Sequence, residues 1–118
     1  MAQSYEGGVV FTPAEESASE YLPNHGVFLT GLLGKSRGDA YGLYRGTIAP
    51  SCGIALELHE HTSETVMVIS GQAVGLIGDR EIPMGPGQVM HVDKNVWHGI
   101  RNSGSESLEI LVIGHPDF

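Results

Sequence analysis

From Val27 onward the chain alternates apolar and aromatic runs of four to eight residues with breakers built from Gly, Pro, Asp and Asn. Runs that short, so closely bounded, are the signature of successive β-strands. Strands are predicted over Val27–Leu33, Tyr41–Ile48, Ile54–His61, Thr65–Ile69, Gln72–Ile77, Gln88–Val92, Trp97–Asn102 and Leu108–Ile113. The breakers have turn chemistry: Pro50 to Gly53, Ser70-Gly71, Gly78-Asp79-Arg80, Gly85-Pro86-Gly87 and Ser103-Gly104-Ser105. Helices are not expected, because no window of a dozen residues keeps a 3.6 period without crossing a glycine. Residues 1–26 hold no sustained period and contain Pro13, Pro23 and the acidic pair Glu15-Glu16, so they are predicted to form an irregular arm with one short strand around Gly8–Thr12. The organisation expected is this arm followed by one all-β domain over 27–118, a sandwich, jelly roll or barrel.

Composition narrows the picture. A chain of 118 residues, 41% hydrophobic, suffices for one packed core and falls short of two. Its 17 glycines and 6 prolines suit short strands and many turns better than a helical bundle. Fourteen acidic against six basic residues give a formal charge of −8, which repels phosphate backbones and anionic lipid headgroups. No nucleic-acid or membrane partner is therefore expected, and no apolar stretch approaches the roughly 20 residues that span a bilayer. Cys52 has no second cysteine to pair with, and Met1 to Val10 lacks the basic and apolar regions of a signal peptide, so the cytoplasm is the expected compartment.

The chemistry concentrates in Leu58-His59-Glu60-His61-Thr62-Ser63-Glu64. On a strand, residues two apart share a face about 6.6 Å from one another, so His59 and His61 are expected to lean towards one point. A tight turn then lets Glu64 open the next strand and point back inward, and His98 on a later strand supplies a fourth donor. Nitrogen and oxygen donors converging in this way suit Zn, Fe, Mn, Ni, Co or Cu rather than Ca.

At this point the sequence resembles the cupins over roughly Gly53 to Asn102. Their first motif is a glycine, five residues, His-any-His, three or four residues, a glutamate, six residues and a glycine. Gly53, His59, His61, Glu64 and Gly71 match, with one residue fewer than usual between His61 and Glu64. In the second motif Gly87, His98 and Asn102 fall in register, whereas Asp93 replaces a proline and Asn95 a glycine. Asn tolerates a left-handed backbone better than most residues. The resemblance implies a double-stranded β-helix, the jelly-roll barrel of that family, with one divalent metal ion held inside by His59, His61, Glu64 and His98. It also implies pairing into homodimers, for which the apolar strand Leu108–Ile113 and Trp97 are the expected contacts.

Glu57 shares strand parity with both histidines, and two readings stand side by side: a general base or outer partner in the cavity, or a solvated or interface carboxylate. Arg45 is read as exposed, His91 as a hydrogen-bonded strand residue, His25 and His115 as loop and tail, and Cys52 as a spare thiol. Three imidazoles and one carboxylate leave a divalent ion near +1 with open positions for a small oxygenated substrate. Such a site supports a dioxygenase, placed first, or redox-neutral isomerase, cyclase or lyase chemistry in which Glu57 or Glu64 moves a proton. A non-enzymatic metal and small-molecule binding module is the alternative.

Overall fold

A computed structural model describes residues 2–118. Twelve antiparallel strands carry the fold, with two 3-10 turns and no α-helix among the described residues. β1 (Ala2–Tyr5) and β2 (Gly8–Phe11) form a hairpin of their own. β3 (Ser19–Glu20), β4 (Val27–Leu33), β5 (Gly42–Ile48), β7 (Ser63–Ser70), β10 (Val89–Val92) and β12 (Leu108–His115) form a six-stranded sheet in the order β10-β7-β12-β5-β4-β3. β6 (Gly53–Glu57), β8 (Ala73–Ile77), β9 (Arg80–Met84) and β11 (His98–Asn102) form a four-stranded sheet in the order β6-β11-β8-β9. The all-β jelly roll is thus a sandwich of two sheets, and their hydrogen-bonded orders do not close into one ring.

The inward faces follow the period of two that a half-buried strand requires. In β7 Glu64, Val66 and Val68 are buried, and in β12 Leu108, Ile110, Val112 and Gly114 are. These rows pack with Val27, Ile48, Ile54 and Ile100 into one core. Glu64 is the exception in an apolar row. A buried carboxylate needs a partner, so its position is informative where another Val would not be.

Three features depart from the sequence expectation. The arm is not irregular throughout: the strand expected near Gly8 is β2, paired with β1, and β3 joins the large sheet beside β4. β9 was not anticipated, because Pro83 and the exposed Arg80 and Glu81 mask it; Pro is tolerated there because β9 is an edge strand. β12, the last strand in sequence, lies in the middle of its sheet, hydrogen-bonded to β7 on one side and β5 on the other, a placement the linear pattern does not indicate.

The turns hold as the sequence suggested. Asn95, in a glycine's place, adopts φ +64°. Buried Asn102 donates from Nδ2 to the carbonyls of Ile48 and Glu106 and accepts from the Gly104 N–H, closing the turn after β11 with bonds worth about 1 kcal/mol each.

Candidate metal centre

β6 ends at Glu57, four residues earlier than its apolar pattern suggests, and the chain then turns. Glu57 faces His98 directly across the β6–β11 pairing. His59 sits in the loop beyond, tied by its carbonyl to the Asn95 N–H at 2.9 Å. Glu64 enters from β7 of the opposite sheet. Two sheets and one loop thereby bring Glu57, His59, Glu64 and His98 together, with one ligating atom of each within 4.8 Å of all the others.

His61 is not among them. Because the strand stops at Glu57, the alternation that would have placed His59 and His61 on one face is broken. The turn throws the His61 side chain into solvent, 89% exposed, beside Glu60 at 3.9 Å. In the cluster Glu57, the residue left with two readings, stands where His61 was expected.

A signal for this was present in the motif. Moving its frame two residues towards the N-terminus puts Glu57 and His59 on the His-any-His positions, four residues before Glu64, and still six residues before Gly71. The missing residue between His61 and Glu64 disappears. Ser51 then takes the glycine's place, and its φ of +67° is the backbone conformation a glycine there would serve.

The polar contacts define what the cluster can hold. The ring nitrogen Nδ1 of His98 donates to the Val96 carbonyl at 2.8 Å, so Nε2 offers a lone pair unless it carries a second proton. That nitrogen faces Oε1 of Glu64 at 3.2 Å. Two acceptors at that distance repel unless a cation or proton lies between them. Burial pulls the His98 imidazole down, but the Glu64 carboxylate and the Val96 carbonyl outweigh it and the net direction is upward. Nε2 of His59 is buried without a hydrogen-bond partner among the described residues, 3.5 Å from Glu57 and 3.4 Å from Glu64. An orphaned imidazole nitrogen facing two carboxylates, beside a second imidazole whose tautomer is fixed by a backbone carbonyl, is the donor arrangement a divalent transition ion takes. The residues present fit such an ion.

Two more residues border the site, and no periodicity in the chain marks them. Tyr21, from the arm, donates its hydroxyl to Oε2 of Glu57 at 2.7 Å. Burial first, then the Glu57 carboxylate, pushes that hydroxyl well above the ordinary phenol range. Phe118 stands edge-on to the His59 ring with centroids 4.8 Å apart, and the hydroxyl of Tyr44 donates to the neighbouring Asp117. Other candidates lie elsewhere: Arg45 pairs with Glu109 at 2.7 Å, His91 bonds Thr65 at 2.8 Å, His25 lies 4.0 Å from Glu20, and Trp97 is exposed. Cys52 is free and packs partly against the core. No helix is long and apolar enough to cross a membrane among the described residues.

Residues 44–114 match the family model of the cupin domain. A curated relative, the xanthan biosynthesis protein XanB of Xanthomonas campestris pv. campestris, is 28% identical over 76 residues, which is 64% of this chain and 16% of that protein. The chain therefore spans a small fraction of this relative's length. Among solved structures, a predicted oxalate decarboxylase from Thermotoga maritima superimposes with a TM-score of 0.83 at 22% identity, covering 91% of this chain and 98% of that one. The polyketide cyclase RemF from Streptomyces resistomycificus gives 0.77 at 17% identity, covering 89% and 77%. At these identities the likeness is one of fold, and the neighbours' reactions differ.

Proposed function

The chain belongs to the cupin domain family, and from that premise we propose that it is an enzyme using one divalent transition-metal ion, held by Glu57, His59, Glu64 and His98, on a small oxygenated molecule. The observation that carries this reading is the buried Nε2 of His59, unpartnered and aimed at two carboxylates. An ion there supplies Lewis acidity towards a substrate oxygen. The protein's own groups do the rest. Glu57 and Glu64 balance the charge of a divalent ion, where the expected set with one carboxylate would have left it near +1. The Tyr21 hydroxyl, held protonated against Glu57, donates its one proton to that carboxylate and so orients it at the cavity. Apolar walls and the Phe118 ring flank these groups.

Two carboxylates at the cavity, Glu57 and Glu64, are groups that can move a proton and favour redox-neutral chemistry, of isomerase, cyclase or lyase type, over the dioxygenase that the ligand types alone suggested. The test is metal content by mass spectrometry on protein purified without chelators or an affinity tag, with O₂ uptake followed over a panel of diketones and catechols. About one divalent ion per chain is expected, kept in His61→Ala, weakened at least tenfold in Glu57→Gln, and lost in the His59→Ala, His98→Ala double variant. Loss of metal in His61→Ala as severe as in the double variant would restore the unshifted motif. Substrate-dependent O₂ uptake would make the protein a dioxygenase.

A further inference from the structure

The cavity that ends on three of the four donors, Glu57, His59 and Glu64, has walls unlike its floor. It holds about 190 Å³, and Val66, Ile100, Ile110, Val112 and Phe118 supply wall positions from both sheets and the C-terminal tail. No lysine or arginine lines it among the described residues, so its charged lining consists of the acids Glu57 and Glu64. An apolar cavity of about 150 Å³ takes up benzene, which makes this one large enough for a single ring with one or two small substituents.

Charge decides what that ring can carry. With a divalent ion present the two carboxylates bring the local charge near zero, and without it the site is acidic. An ion there is the one cationic partner a phosphate or carboxylate could meet, its charge is already matched by the two carboxylates, and burying an anion against apolar walls is costly. We infer that the substrate class is an uncharged molecule of one-ring size, apolar over most of its surface, that presents a neutral carbonyl, hydroxyl or enol oxygen to the Tyr21–Glu57 end. Phosphorylated and carboxylate-bearing metabolites are disfavoured. The oxygen end of this inference rests on the proposed metal reading; the ring end rests on the cavity alone.

The test uses two probes of nearly the same shape and different charge, 2-hydroxyacetophenone and salicylate, with glucose 6-phosphate as a phosphorylated comparator. Binding is measured by calorimetry on the Mn-loaded and the chelator-stripped protein, with metal content determined on the same samples. The neutral ring is expected to bind about tenfold or more tighter than either anion in both forms. Phe118→Ala is expected to weaken it several-fold, and Leu29→Arg, which places a cation in the lining, to narrow the gap to salicylate. An anion that binds as tightly as the neutral ring overturns the inference, as does a neutral ring that binds neither form. Failure of the metal reading looks different: a protein that takes up no Mn yet keeps the preference for the neutral ring loses its metal centre and retains its substrate class.

Discussion

Tyr44 shows how a side chain outside the metal cluster reports on the site. Its hydroxyl is pushed up to about 12, first by burial and then by its hydrogen bond to Asp117. In the unfolded chain the same phenol loses its proton near its ordinary value of 10.0. The folded state therefore holds the proton longer, and the stability this contributes is complete below pH 10 and lost as pH rises towards about 12. Absorbance titration at 295 nm is expected to resolve late-titrating tyrosine that moves in Asp117→Asn, and a titration curve unchanged in that variant would disconnect the two groups. Glu57 teaches a related lesson about reading single residues. Its parity already pointed into the cavity, but only the end of β6 decides between Glu57 and His61. That end is set by the turn and by the Asn95 bond to the His59 carbonyl, neither of which has a sequence period.

At the scale of elements, strands buried on one face were legible because alternation is written into composition. Val27–Leu33 is β4 to the residue, and β5, β8, β10, β11 and β12 shift by one or two positions at their ends. β2 is the strand expected near Gly8, whereas β9 and β1 were not legible, since exposed strands carry no buried row to give them away. The tail was equally silent, yet it is built into β12. A Cβ on Gly114 would lie 2.6 Å from the Phe118 ring, so the absence of a side chain there gives that ring its seat. Gly114→Ala is expected to expel the ring at a cost on the order of 1 kcal/mol in unfolding free energy. The sensitive readout is the ring-current shift of the His59 protons, which should fall towards the value in Phe118→Ala; an unchanged shift would show that the strand yields instead.

For the molecule as a whole, the centre joins the two layers: Glu57 and His98 belong to the small sheet, Glu64 to the large one. An ion bound there favours the folded state alone, so at a concentration 100 times its Kd it adds about 2.7 kcal/mol. For a domain of this size that corresponds to roughly 11 °C in Tm. Scanning calorimetry with and without chelator is expected to show that difference and to show none in the His59→Ala, His98→Ala variant. The order of strands carries one more consequence, in time rather than in energy. β12 follows every other strand in sequence, yet β5 and β7 pair with it and not with each other. Until β12 arrives, the large sheet is two unjoined ribbons and Glu64 has no settled place opposite His98. Formation of the sheet is thus gated by distant pairings, as far apart as Gly42 with Gly114 on one side of β12 and Ser63 with His115 on the other, a topology that makes folding slow relative to local hairpins.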